Sequence, residues 1–141
     1  MTDKSDELIK LTATEAVVCL RSKEVSPLDL VEASIKRIET FDTEVNALPI
    51  HCFDQARDQA KSLDLDRHLP NPKSLCGLPI AVKDYNDLGG AVTTYGSPIF
   101  VNNVAQTSDA TIRKLESNGA IAVAKSNVPE WAGGHTFNPV N

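Results

Sequence analysis

The sequence lacks the features that define several large classes of protein. No apolar run approaches the ~20 residues that a membrane-spanning helix requires, and the polar stretch 1–7 has no apolar core of a secretory signal. Acidic residues outnumber basic ones, 19 to 14, and the basic residues are scattered along the chain. That distribution predicts neither a membrane nor a nucleic acid as a partner.

Cysteine is scarce, and its spacing argues against two uses. The three cysteines are odd in number and widely separated, which favours reduced thiols and a cytoplasmic protein over a disulfide framework. No CxxC pair is present to hold zinc. The positions are Cys19, Cys52 and Cys76.

Familiar catalytic and cofactor motifs are also absent. The sequence has no P-loop, no GxGxxG, no HExxH, no nucleophile elbow GxSxG and no SxxK. The three histidines, His51, His68 and His135, lack the spacing of a metal site, and His135 in its glycine-rich loop is expected to be solvated or locally bonded. We therefore predict no metal and no cofactor, and the chain by itself contains no complete catalytic constellation.

The first half of the chain predicts helices. Thr12 and Glu15 form a capping box, and Ser26 followed by Pro27 and Asp29 is a second, stronger start signal. Apolar residues then recur at helical spacing, which predicts core-facing stripes. These residues are Val17, Val18 and Leu20; Leu28, Val31, Ile35 and Ile38; and Phe53, Ala56, Ala60 and Leu63. Residues 64–74 have loop composition and follow the last of these predicted helices. We therefore interpret 1–76 as a helical lead-in.

The second half predicts a strand, a helix and a strand. Apolar runs at 78–82 and 120–124 are typical of buried strands, and residues 92–95 are β-prone. Between them, Ser108 or Asp109 caps a helix that contains Ile112 and Leu115, with Gly119 as its C′ residue. This order predicts an α/β fold, with helices first and then part of a mixed, largely parallel sheet flanked by helices.

One stretch, 77–84 (GLPIAVKD), organises the rest. A run of apolar or small residues leads directly into Lys83 and Asp84. Because lysine is expensive to bury, a lysine that closes an apolar run needs an explanation. Either the two charges mark where the strand emerges into water, or they belong to a site that needs charge.

The sequence resembles the amidase signature family, whose members hydrolyse carboxylic amides with a serine–cis-serine–lysine triad. The resemblance covers nearly the whole chain, in order. Its blocks are 30–33 (LVEA), 37–38 (RI), 45–49 (VNALP), 77–84 (GLPIAVKD), 93–97 (TTYGS), 109–110 (DA), 119–120 (GA) and 124–131 (AKSNVPEW). The resemblance implies that 1–141 is the N-terminal part of a single amidase signature domain, with residues 77–141 as the strand–helix–strand part that carries the catalytic lysine.

The same resemblance implies that Lys83 is that lysine. In the family, a Gly/Ser-rich segment that supplies both serines follows the last matching block, and this sequence ends before it. A lysine acts as the base only when it is neutral, and burial favours the neutral form. We therefore expect the apolar strand to carry Lys83 to the interior.

The resemblance also suggests supporting residues, each with a plainer alternative. Asp84 either holds Lys83 or solvates the end of the strand. Ser126 and Asn127 either orient the lysine and its neighbouring backbone or satisfy a buried strand terminus. Trp131, the only tryptophan, either lines an acyl pocket or packs in the core.

Three functional hypotheses follow. The first is the N-terminal part of an amidase for small or aryl amides, inactive without the remainder of the enzyme. The second is the amidotransferase subunit that releases ammonia from glutamine for tRNA-bound glutamate, which requires partner subunits. The third is a truncated product that acts only with a complementing chain. Because its strands are apolar on both faces and leave open edges, we expect the isolated chain to be poorly soluble or oligomeric.

Overall fold

The structure is a computed structural model that describes residues 4–134 and 138–141. The expectation for His135 lies outside the described residues. The helices are α1 (Lys4–Leu8), α2 (Ala13–Arg21), α3 (Pro27–Val45), α4 (Phe53–Ser62), α5 (Leu65–His68) and α6 (Ala110–Ser117). The strands are β1 (Ile50–His51), β2 (Pro79–Lys83) and β3 (Ile121–Ser126). Among these residues, no helix has both the length and the apolar character needed to cross a bilayer.

The sheet is mixed, as the sequence predicts. Its strand order is β1-β3-β2, with β3 in the centre. Strands β2 and β3 are parallel, and α6 lies between them in the sequence. The two-residue strand β1 pairs antiparallel with β3. The α/β prediction, with helices first and a partly parallel sheet afterwards, is confirmed, while β1 is too short to produce a recognisable pattern of alternation.

The predicted capping box at Thr12 forms, and the start signal predicted at Ser26 forms a second one. The Thr12 hydroxyl accepts the Glu15 N–H (3.3 Å), and the Glu15 carboxylate accepts the Thr12 N–H (2.8 Å). Ser26 and Asp29 make the equivalent pair of bonds at the start of α3 (3.1 and 3.0 Å). Each box pairs backbone N–H groups that the first turn of a helix leaves without an intrahelical acceptor. These bonds fix where α2 and α3 begin.

The main core lies between helices α3 and α4 and strand β3. It contains most of the predicted stripes of both helices and three buried residues of β3. Its buried members are Val31, Ile35, Ile38, Ala56, Ala60, Ile121, Val123 and Ala124. One prediction for α2 is wrong: Val18 is 59% exposed, whereas Ala16 and Leu20 are buried. At about 100° per residue, Val18 lies roughly 200° around the helix from both, and so faces away from the core.

Three further predictions need adjustment. The expected loop 64–74 contains the short helix α5, which Asp64 caps by accepting the Arg67 N–H (3.3 Å). The β-prone stretch 92–95 contributes only an isolated bridge between Val92 and Val104. Helix α6 begins after Asp109, although the Asp109 side chain makes no capping bond. Gly119 follows α6 with a φ of 87°, as its predicted position requires.

Candidate active site

The candidate site lies where the carboxyl ends of β2 and β3 meet. Because the two strands are parallel, their last residues reach the same edge of the sheet, and Lys83 is in register with Ser126. The Asp84 N–H extends this pairing by donating to the Ser126 carbonyl (2.9 Å). The Lys83 carbonyl accepts the Asn86 N–H (2.9 Å), so the backbone is held on both sides of the Lys83 side chain.

Side chains alternate between the two faces of β2 at this end. Val82 and Asp84 are buried, whereas Ala81 and Lys83 are exposed. The Lys83 ammonium lies 5.5 Å from the centre of the Tyr85 ring. The expectation that the strand carries Lys83 to the interior is therefore not met within this chain. Because successive side chains of a strand point to opposite faces, the next residue, Asp84, lies on the covered face.

Asp84 contacts a different lysine. The Lys125 ammonium lies 2.9 Å from a carboxylate oxygen of Asp84, and both side chains are 0% exposed. Lys125 also donates to the Thr93 hydroxyl. The Thr94 N–H donates to both oxygens of Asp84 (3.1 and 3.2 Å), and the Thr94 hydroxyl donates to the same carboxylate. Asp84 is therefore a buried carboxylate that bonds Lys125 and Thr94. It neither holds Lys83 nor solvates the end of the strand, the two roles expected for it.

Lys125 is the residue that sequence reasoning missed. Burial lowers the pKa of Lys125, and the hydrogen bond and charge of Asp84 oppose that shift. The available signal was the one applied to Lys83, since residues 120–124 also form an apolar run that closes on a lysine. Its partner was not recognisable, because the pairing depends on the parallel register and on which face each lysine occupies.

Asn127 satisfies backbone groups and does not orient Lys83. Its side chain donates to the Asn46 carbonyl (3.0 Å) and accepts the Val128 N–H (3.0 Å) and the Asn138 side-chain amide (2.6 Å). Its N–H donates to the Ala47 carbonyl (2.8 Å). This is the plainer of the two roles considered for it. Ser126, through its carbonyl, holds the backbone next to Lys83.

Two loops pack against each other beside the carboxyl ends of β2 and β3. In the first loop (93–97), the Tyr95 carbonyl accepts the Trp131 N–H of the second loop (128–132) at 2.8 Å. The Ser97 hydroxyl donates to the Glu130 carboxylate (2.8 Å). A Cβ atom on Gly96, which has a φ of +67°, would lie 2.6 Å from the Val128 carbonyl oxygen. Only glycine permits this approach.

The paired loops carry an aromatic surface. The rings of Tyr95 and Trp131 are stacked with centroids 5.7 Å apart, and Phe100 contacts each edge-on at 5.2 Å. Trp131 is 56% exposed, so it does not pack in the core of this chain. The Tyr95 hydroxyl donates to Asp87 (2.8 Å), which, together with burial and nearby acidic charge, raises the pKa of Tyr95 to about 12. Tyr95 is therefore a neutral hydrogen-bond donor at physiological pH.

Comparison with known proteins agrees with this architecture. The Amidase family profile matches residues 29–140, which is most of the chain. The protein AmiB2 of Mycobacterium tuberculosis is 42% identical over 106 residues, which cover 72% of this chain and 22% of AmiB2. The A-type subunit of the glutamyl-tRNA(Gln) amidotransferase of Anaeromyxobacter dehalogenans is 36% identical over 135 residues, covering 95% of this chain and 27% of that protein.

A solved structure shows the same fold. The amidase family protein from Bacillus anthracis str. Ames superposes with a TM-score of 0.78 at 26% identity, covering 96% of this chain and 27% of that protein. This chain belongs to the amidase signature family. It spans about a quarter of the length of the relatives it matches.

Proposed function

We propose that this chain is the N-terminal segment of an amidase that hydrolyses carboxylic amide C–N bonds, with Lys83 as its catalytic lysine. The longer protein that would contain this chain is termed the parent protein below. The observation that carries the proposal is the position of Lys83: its backbone is fixed at the carboxyl ends of two parallel strands, and its side chain lies on the open face of β2.

The proposed reaction begins with proton transfer. Neutral Lys83 accepts a proton from a bridging serine, which accepts one from the nucleophilic serine as that oxygen attacks the amide carbon. Both serines would come from the segment that follows the last matching block in the family. The C–N bond breaks as the relayed proton returns to the leaving nitrogen, giving an acyl-serine and a free amine or ammonia. Water then hydrolyses the ester and regenerates the serine.

The remainder of the parent protein is proposed to change the environment of Lys83. A lysine in water is protonated and cannot act as a base, whereas desolvation favours its neutral form. In this chain the face of β2 that bears Lys83 and Ala81 is open. A second layer of protein over that face would remove the amine from water without any change in its backbone position.

The aromatic surface suggests where the substrate binds. Trp131 stacks on Tyr95, and both belong to the loops that flank the strand edge bearing Lys83. An exposed, flat indole is suited to contact an acyl chain or an aryl leaving group. We propose that Trp131 forms one wall of the substrate pocket, and that aryl amides are suitable first substrates.

The test is acyl transfer to hydroxylamine by the parent protein. Two aryl amides that share an acyl group but carry different amines are expected to give the same ratio of hydroxamate to acid, because both pass through one acyl-enzyme. This chain alone is expected to produce neither product. Ratios that differ between the two amides, or acid without hydroxamate, would contradict the acyl-serine intermediate.

A second candidate is an amidotransferase A-type subunit. The observation in its favour is that the match to the Anaeromyxobacter protein extends over 95% of this chain. This function predicts that ammonia release from glutamine depends on partner subunits. Hydrolysis of aryl amides by the purified parent protein, with no dependence on a co-purifying partner, would favour the amidase instead. The absence of a basic cluster in the sequence also ranks the amidotransferase second.

A further inference from the structure

Lys125 and Asp84 form a buried ion pair that connects three segments of the candidate site. Asp84 directly follows Lys83, Lys125 lies on β3, and the first loop begins with Thr93, which bonds Lys125, and Thr94, which bonds Asp84. The Asp84 carbonyl also accepts the Tyr95 N–H (3.1 Å). The residue adjacent to Lys83 is thus held through its side chain and through both of its backbone polar groups.

Stability alone is a weak explanation for such a pair. Taking two charges out of water costs free energy that their attraction often fails to recover, and apolar replacements of buried pairs are frequently neutral or stabilising. What the pair supplies here is geometry, because a carboxylate at a fixed position accepts bonds from Lys125 and from two groups of Thr94 at once. Apolar side chains of the same volume would fill the space without fixing these directions.

We propose that Lys125 is a positioning residue: through Asp84 it fixes the end of β2 that bears Lys83 and the loop that carries Tyr95. Lys125 itself is fully buried and acts only through its partners. The inference rests on the proposed role of Lys83. It adds that the alignment of the catalytic lysine with the aromatic surface depends on a lysine of the neighbouring strand.

The first measurement compares three variants of the parent protein: Lys125→Met, Asp84→Asn and the double variant. Each single variant leaves one buried charge without its partner, so both are expected to melt at lower temperature. The double variant removes both charges and is expected to regain most of that loss. Its kcat should nevertheless fall by about 10- to 100-fold with KM within about twofold, since a displacement of ~1 Å in a reacting group costs on the order of 100-fold in rate.

The control is the same pair of substitutions at an exposed ion pair. Lys23 and Asp66 lie 2.7 Å apart on the surface, and Lys23→Met combined with Asp66→Asn should leave kcat and KM unchanged. If the kcat of the Lys125/Asp84 double variant recovers together with its melting temperature, or if KM rises while kcat is unchanged, the positioning role is wrong.

The two proposals fail in distinguishable ways. Loss of activity in Lys83→Met, combined with an unchanged kcat in the Lys125/Asp84 double variant, would overturn only the positioning role. Full activity in Lys83→Met would overturn the proposed function, whatever the double variant does.

Discussion

Replacing Gly96 by alanine should separate the two loops that flank the candidate site. An alanine at a φ of +67° costs about 1–2 kcal/mol, because its Cβ approaches the following carbonyl. The same Cβ would lie 2.6 Å from the Val128 carbonyl oxygen, so one loop must move. That movement breaks the Trp131–Tyr95 and Ser97–Glu130 hydrogen bonds, which contribute about 1 kcal/mol each. The expected total is about 3–4 kcal/mol of local stability.

Amide hydrogen exchange of the parent protein measures this quantity directly. Local opening of the segment 128–132 should become about 10²- to 10³-fold more frequent, since each ~1.4 kcal/mol is a factor of ten. Gly90→Ala is the matched control, because Gly90 also has a positive φ (+82°) but its Cβ would meet only the Gln55 side chain, at 3.9 Å. It should leave exchange in 128–132 unchanged. Exchange in Gly96→Ala within about threefold of the unsubstituted protein would refute the loop pairing.

Three other predictions concern the helical half and the isolated chain. Leu20→Ala should lower the free energy of unfolding, measured in urea, by about 2–5 kcal/mol, and Val18→Ala by less than about 0.5 kcal/mol, because only Leu20 is buried. Equal losses in the two variants would contradict the orientation of α2. Hydrogen bonds from Thr12 lower the pKa of Glu15 below its ordinary value of 4.5. The contribution of this capping box to stability is therefore complete above pH 4.5 and is lost as the pH falls through the lower pKa of the folded state. Glu15→Gln should remove this part of the pH dependence of melting, and an unchanged profile would exclude it. The chain alone should elute as oligomers or precipitate, whereas a monomer with a cooperative melt would contradict the open edge of β2.

Local signals were sufficient for the starts of α2 and α3. A capping box joins residues three positions apart, so the sequence contains both partners, and the boxes at Thr12 and Ser26 could be predicted together with the buried stripes of α3 and α4. Val18 was assigned to the wrong face of α2 because Val17, Val18 and Leu20 span most of a helical turn. A short apolar run of that kind does not fix a single face.

The candidate site needed information that the sequence does not contain locally. Lys83 and Lys125 both close apolar strands, and only the strand faces decide that Lys125 is the buried one. Because side chains alternate along β2, Asp84 lies in the same interior as Lys125, although the two residues are 41 positions apart in the sequence. Likewise, the stacking of Tyr95 on Trp131 joins two loops that neither pattern nor propensity connects. The residue types were visible, but their pairing was not.

The central claim is that Lys83 performs the proton transfer. The most direct test is kcat/KM of the parent protein for an aryl amide after Lys83→Met, compared with Lys114→Met, which removes an exposed lysine from α6. We expect the Lys83 variant to fold normally and to lose at least about 10²- to 10⁴-fold in kcat/KM, the usual contribution of a positioned base, with Lys114→Met unchanged. Equal activity in the two variants would contradict the assignment.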